Sequence, residues 1–593
     1  MRKMILVLVI VLAFSSVHAI TIPGGEVSGN WVLEESPYYI DGNITIIAES
    51  TLEVEAGVEI LFNDNYSLVV IGRLAAIGTE SDSILVSRAE GAIGWQGIRF
   101  MNCTGNGLED SSLQYCRIER SAAIGGDEMS NGGGIYCDNS NNVVIDHCYF
   151  YQNYAAWDGG AISLNNASDI SITNCSFVGN SCGFYGAGMV VYGSAPVIDG
   201  CEFRSNNSAV FAGGFSAWDN SDVTITNCIF EYNTAGACSG IYGVGSTFSL
   251  SNLIFINNDT SNGSGAALGL TSCTTEGSNL TIIDNISPMN GGAFWIFGGT
   301  LSLYNSILWG NMPNQIALEN CSSGTIANCC IQDGFEGENI ISDDPGLIDM
   351  ANYDLHLMED SPCIDAGDAD LVSFTLPETD LDGLMRIMDG DGDGEAVIDL
   401  GVYEFELIII YEPPAHVNID NTTGLMTWED PSMEGLTGFE IYLNGELEGI
   451  VEPDIEEYMF IGLMEGEIYT VAIIAIYEDG ESEIVEVEFI YTPTGTSDNE
   501  LSAVSLMGNY PNPFNPETTI RFSTSKEGYV DLSIYNLQGQ KVTTLVNGVL
   551  KAQSHNIVWD GRNESGNRVS SGVYIYQVQS ENETAEGRMI LLK

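Results

Sequence analysis

One phrase recurs along the middle of this chain about every 26 residues: DHCYFYQN (146–153), TNCSFVGN (173–180), DGCEFRSN (199–206), TNCIFEYN (226–233), SNLIFINN (251–258), SNLTIIDN (278–285) and YNSILWGN (304–311). The closing residues Asn153, Asn180, Asn206, Asn233, Asn258, Asn285 and Asn311 are 27, 26, 27, 25, 27 and 26 residues apart. So regular a period, filled with strand-forming residues and lacking helical spacing, belongs to a solenoid in which each repeat is one turn. A further strand signal follows a glycine cluster in each repeat: GGGIYC (132–137), GGAISL (159–164), GAGMVVY (186–192), GGFSAW (213–218) and SGIYGV (239–244). Glycine permits the tight turns between faces. Phe150, Phe177, Phe203, Phe230 and Phe255 form one column, continued by Ile282 and Leu308, and the asparagines three residues on form a second whose amides can bond the turns above and below. The expected fold is all-β: a right-handed parallel β-helix over 20–340, followed by two small Ig-like β-sandwiches.

At 593 residues the chain exceeds one ordinary core. It opens as an export signal over 1–19: Arg2 and Lys3, an apolar run Met4–Phe14, then Val17-His18-Ala19 at cleavage spacing. No later segment is apolar enough to predict a transmembrane helix. The formal charge of −65 excludes nucleic acid as a partner, since counterion release needs a cationic surface. It suits a soluble extracellular surface, or one that collects calcium. All fourteen cysteines lie at or before Cys363, and Cys116, Cys148, Cys175, Cys201 and Cys228 share one repeat phase. An export route favours disulfides, but a single phase predicts a buried packing ladder.

The spacing FxxN…GG-A/I, as in FYQNYAAWDGGAI (150–162) and FVGNSCGFYGAGM (177–189), resembles the repeat of chlamydial polymorphic outer membrane proteins over about residues 113–335. That resemblance implies a surface-displayed, often adhesive β-helix. Residues 341–406 resemble the choice-of-anchor Q region of bacterial surface proteins, through DDPGL (343–347), YDLHL (353–357), SPCIDAGD (361–368), DLDG (380–383), Arg386 and DLGVYEF (399–405). They are expected to close the C-terminal end of the helix. Residues 407–493 resemble a fibronectin type III domain, with Trp428 as core indole and Tyr469 at the tyrosine corner; they hold about twenty acidic residues and no Lys or Arg. A linker at 494–505 leads to 506–593, where NYPNPFNPETTIRF, LSIYNLQGQKVTTL, HNIVWDGRNESGNRVSSGVYIYQV and RMILLK resemble the type A C-terminal sorting domain of type IX secretion. This implies recognition by the type IX machinery and delivery to the surface or exterior of a Gram-negative bacterium.

The β-helix is also a scaffold of polysaccharide lyases, hydrolases and epimerases, and fold alone does not choose among them. A uronate lyase needs a base and a cation, yet residues 121–335 offer only Arg204 as a cation and His147 as an imidazole, neither with an evident partner. Asp158, Asp219 and Asp222 fall at different phases, against the facing carboxylates of an inverting glycosidase. A non-catalytic binding role is therefore the expectation, and a polysaccharide-active enzyme the alternative. Alternation along the post-glycine strands places Tyr136, Asp138, Tyr192, Trp218 and Tyr242 outward on one face, as a candidate strip for a glycan or protein partner. The candidate cation site is MDGDGDGEAVIDLG (388–401), where Asp389, Asp391 and Asp393 match the first half of a calcium loop but Leu400 replaces the closing Glu. Calcium is the one cofactor these residues suggest.

Overall fold

A computed structural model describes residues 19–592 apart from 104–108, 322–323, 372, 374–375, 408–409, 479, 494–503, 513 and 581–582. The expected export signal and most of the expected linker lie outside the described residues. Helical hydrogen bonding among the described residues is confined to four short 3-10 turns, and no helix is long and apolar enough to cross a membrane. The chain divides into two compact units, Met1–Leu407 and Ile408–Lys593.

The first unit is a right-handed parallel β-helix with three sheets. A 22-stranded sheet takes two strands from most repeats, a 12-stranded sheet takes the post-glycine strands, and a 6-stranded sheet is made of two-residue strands beginning at Ala122–Ala123. Strand pairing is parallel and in register with the repeat: Phe150 pairs with Phe177, Phe177 with Phe203, Phe203 with Phe230 and Phe230 with Phe255. Their rings stack at centroid distances of 4.9, 4.6, 4.7 and 4.8 Å, all within 8° of parallel. All five are fully buried, each contributing roughly 1.5–3 kcal/mol from burial alone.

The asparagine column runs beside them. Asn180 Oδ1 accepts from the backbone N–H (3.0 Å) and the side-chain amide (3.1 Å) of Asn153, while Asn180 Nδ2 donates to the carbonyl of Phe150 at 3.0 Å. The unit repeats through Asn206, Asn233, Asn258 and Asn285 to Asn311, whose amide donates to Gln315 Oε1 at 2.7 Å. Each asparagine thus satisfies backbone groups that the tight corner leaves without a strand partner. The cysteines form a third column: the N–H groups of Cys148, Cys175 and Cys201 donate to the sulfurs of Cys175, Cys201 and Cys228 at 3.3, 3.4 and 3.2 Å.

Residues 341–406 do not simply close the end of the solenoid; they run back along its flank as a strap. Buried asparagines in left-handed conformation on successive coils hold the strap backbone. Asn252 donates to the carbonyl of Thr379, Asn279 to those of Asp399 and Gly401, Asn305 to that of Asp368 and Asn328 to that of Ala366. Beneath lies a second core of Ile254, Ile256, Ile283, Ile307 and Cys330 from the coils with Leu355, Leu357, Cys363, Leu400 and Val402 from the strap. Arg386, 4% exposed, pairs with Glu404 at 2.6 Å and also reaches Asn252 Oδ1 and the carbonyls of Gly401 and Val402.

In the second unit, residues 415–490 form a seven-stranded sandwich of a three-stranded and a four-stranded antiparallel sheet. Trp428 is buried edge-on to Phe439 at 5.3 Å, and the N–H of Met464 donates to the Tyr469 hydroxyl at 2.9 Å. Residues 504–591 form a second sandwich of the same strand count per sheet, cored by Phe514, Phe522, Ile534, Trp559 and Tyr574.

Candidate functional site

The outer face of the 12-stranded sheet carries two rows of side chains. The inner row is Arg99, Tyr136, Ser163, Val190, Ser216 and Tyr242, paired coil to coil. It is covered. Just before each strand the backbone enters the left-handed region, at Gly132, Gly159, Gly186, Ala212 and Cys238, and folds back over the row. The approach is so close that a Cβ on Gly159 would lie 2.8 Å from the Ser163 Cβ. Tyr136 and Tyr242 are consequently 3% and 8% exposed, packed beneath the Arg99 guanidinium (5.5 Å) and stacked on Phe211 (4.4 Å) respectively. Both fall out of the open strip that alternation alone predicts. The overlooked feature is the left-handed residue three ahead of each strand, Gly132 for Tyr136 and Cys238 for Tyr242.

The outer row holds Asp138, Asn165, Tyr192 and Trp218, all half-buried. Asp138 is occupied by the side-chain amides of Asn139 and Asn165 at 2.9 and 2.6 Å. Tyr192 and Trp218 lie 6.4 Å apart and join rings from the preceding turns. Tyr185 packs 4.7 Å from Trp218 and 6.0 Å from Phe211, and Phe184 lies 6.1 Å from Tyr185. Phe184 and Trp157, on neighbouring coils of this turn, are 46% and 42% exposed. These rings come from AWDGG, FYGAG and VFAGG, the stretch between the Asn phrase and the strand, which the candidate strip does not include. Within the patch the Asp158 carboxylate accepts from the backbone N–H of Tyr185 at 3.0 Å and from the Tyr192 hydroxyl at 2.8 Å. Burial lifts the Asp158 carboxyl above its usual range and, together with Asp158, lifts the Tyr192 phenol.

This arrangement offers flat apolar faces flanked by one hydrogen-bonded carboxylate. It suits stacking on a sugar ring or on another protein's apolar side chains. Arg204 and His147 project from the 22-stranded sheet instead, where Arg204 pairs with Glu231 at 2.9 Å and His147 with Asp146 at 2.9 Å.

In the acidic loop, the carboxylate oxygens that converge belong to Asp365, Asp389 and Asp391, all within 4.8 Å of one another. Asp365 comes from SPCIDAGD and was missed, being distant in sequence; its Oδ2 accepts from the N–H groups of Gly390 and Asp391 at 3.0 and 2.8 Å. Asp393 is not in the cluster, and its backbone N–H caps Asp389 and Asp391. An all-oxygen set of this kind suits a hard cation.

Two family models match parts of the chain: the right handed beta helix region over residues 83–252 and the FlgD Ig-like domain over 512–584. Among solved structures, latent PorU from Porphyromonas gingivalis is similar at 16% identity and TM-score 0.18, covering 33% of this chain and 22% of that one. A two-domain fibronectin type III segment of chicken tenascin is similar at 14% identity and TM-score 0.13, covering 30% of this chain and 99% of that one. A curated Kelch domain-containing protein of Sulfurisphaera tokodaii is 36% identical over 80 residues, 13% of this chain and 11% of that protein. The chain therefore spans only a small part of that relative.

Proposed function

We propose that this is an exported, non-catalytic display protein whose β-helix binds an extracellular glycan or surface protein through the aromatic patch around Asp158. The carrying observation is the ring cluster Phe184, Tyr185, Phe211 and Trp218 with Trp157 on the neighbouring coil, in which Phe184 and Trp157 are exposed and the others half-buried, while Tyr136 and Tyr242 of the inner row are covered. Stacking platforms of this kind need no catalytic cation, and Arg204 and His147 lie beside carboxylates of their own on another sheet. Export as a type IX cargo, attachment at the Gram-negative surface and calcium at Asp365, Asp389 and Asp391 belong to the same proposal. They rest on the motifs of 506–593, on those of 341–406, and on the converging carboxylates. A glycan array probed with the mature chain, with and without calcium, tests it. Trp218→Ala with Phe184→Ala should weaken the retained ligand about tenfold or more, as loss of central aromatic contacts does. Unchanged binding would remove the patch from the function.

A polysaccharide-active enzyme is the second reading, and Asp158 favours it: a carboxyl that burial raises above its normal range beside stacking rings is the kind of group a general acid draws on. Turnover by the wild type that Asp158→Asn abolishes, in a reducing-end or unsaturated-uronate assay, would establish it. Binding that survives Asp158→Asn without any turnover supports the display reading.

A further inference from the structure

We infer that Cys330 and Cys363 form a disulfide in the exported protein, a covalent staple between the last coils and the strap. Cys329 and Cys330 adjoin in one strand but face opposite ways. Cys329 enters the solenoid core, and Cys330 enters the second core shared with the strap. There it shares one small buried cluster with Cys363, whose thiol its presence raises, and neither residue has any exposed surface. Both are free thiols in the structure. Cys330 Sγ also donates to the carbonyl of Asp343 at 3.4 Å, and Cys363 is held by its N–H to Ser361 Oγ at 3.1 Å and its carbonyl to the N–H of Leu400 at 3.0 Å.

The ladder cysteines differ in a way that decides the chemistry. Cys148, Cys175, Cys201 and Cys228 occupy the same corner of successive coils, each one residue before strands paired in register, so they are spaced by the inter-strand distance of about 4.8 Å. A disulfide prefers a Cβ separation of about 3.5–4.5 Å. The sulfurs of Cys175, Cys201 and Cys228 are also used as acceptors by backbone N–H groups. Cys330 and Cys363 come from separate elements that meet side chain to side chain, free of that spacing. The bond closes a loop of 33 residues (363 − 330), enough to restrict the unfolded strap appreciably.

Formation is a thiol–disulfide exchange with a protein thiol oxidase in its disulfide form. The thiolate of one cysteine attacks that disulfide and releases one oxidase thiolate. The second cysteine then attacks the mixed disulfide, so that the Cys330–Cys363 bond forms, two S–H protons are lost and the oxidase leaves as a dithiol.

The full chain, recovered from an oxidising compartment and separately after native incubation with oxidised and reduced glutathione, is denatured directly into excess N-ethylmaleimide and digested. The expected result is one cross-linked peptide containing Cys330 and Cys363, lighter by two hydrogens than the reduced pair, with the other twelve of the fourteen cysteines alkylated. Alkylation of both Cys330 and Cys363 in both preparations would overturn the inference, whatever the export route. As a second readout, reductant should speed proteolysis within 341–406 in the wild type and leave the Cys330→Ser, Cys363→Ser variant unaffected. An equal response of the two proteins would also overturn it.

Discussion

At the scale of the residue, the asparagine ladder is the most exacting feature. Asn206 makes four bonds at once: its Oδ1 accepts from the N–H and amide of Asn180 at 3.0 Å each, and its Nδ2 donates to the carbonyl of Phe177 at 2.9 Å and to Asn233 Oδ1 at 3.0 Å. Alanine there strands a backbone N–H and a carbonyl in a site with no water access, each costing about 1–3 kcal/mol. We expect Asn206→Ala to destabilise the solenoid by about 3 kcal/mol in urea unfolding, whereas the exposed Asn262→Ala stays within about 0.5 kcal/mol. Equal midpoints for the two variants would show that the ladder is decorative. This is also why the solenoid was legible in the sequence. A ladder works only if every coil supplies the same donor and acceptor, so the physics writes itself as a repeat. The aromatic patch was less legible for the complementary reason. Trp157, Phe184 and Phe211 differ from coil to coil, and which of them stay open depends on how the left-handed residues ahead of each strand fold the turn, something alternation along a strand does not encode.

At the scale of the element, the strap shows a feature that the sequence carries but periodicity hides. The two positions flanking the ladder Phe are Tyr149 and Tyr151, Ser176 and Val178, Glu202 and Arg204 in early coils, but Ile254 and Ile256, then Ile307 and Trp309 in later ones. Outward positions that become apolar imply a covering element, and the strap is that element. Its anchor is Arg386, which occupies Glu404, two strap carbonyls and Asn252 together. Glu404 in turn accepts from the N–H of Asp399 at 3.0 Å, and Asp399 accepts from the N–H groups of Asp365 and Phe405 at 2.7 and 2.6 Å. Removing the guanidinium leaves Glu404 and the carbonyls of Gly401 and Val402 without a buried donor, a loss of about 1–3 kcal/mol for each group left unsatisfied. Arg386→Met should therefore expose 341–406 to limited proteolysis at neutral pH, and adding Glu404→Gln should restore part of the protection. If the single variant is cleaved no faster than wild type, the strap is held by its apolar contacts alone. The same network links Asp399 to Asp365, so calcium at Asp365, Asp389 and Asp391 would stiffen the strap from its far end.

At the scale of the whole molecule, charge sets how stability responds to solution conditions. A formal charge of −65 with 17 basic residues means that most carboxylates have no cation to face, so ionising them adds repulsion to the folded state. Two of the strap's acids sharpen this: burial pushes Asp399 up to about 6 and Glu404 up to about 8, with Arg386 opposing in both cases. A carboxyl whose folded value lies above its unfolded value binds more protons when folded. Its contribution is complete below the unfolded value, near pH 4, and is lost as pH rises through the folded one. His356 acts in the same direction, because its contacts with Asp354 and Asp382 raise it above the ordinary imidazole value, so its stabilisation is also lost as pH rises. Asp146 and Asp354 are held below their usual range and begin to lose stabilisation only as pH falls toward the ordinary carboxyl value, so they do not offset the trend above pH 5. We therefore expect the thermal midpoint of the Met1–Leu407 unit to rise as pH is lowered from about 8 to about 5. Moderate salt should reproduce the part that comes from long-range repulsion, since screening acts within about 10 Å at 0.1 M. The remainder, which salt leaves untouched, should shrink in Glu404→Gln, where one buried titration has been removed. Calorimetry across that range in low and moderate salt checks both parts, and a midpoint that falls on acidification would contradict the assignment of the strap's buried acids as groups that resist ionisation.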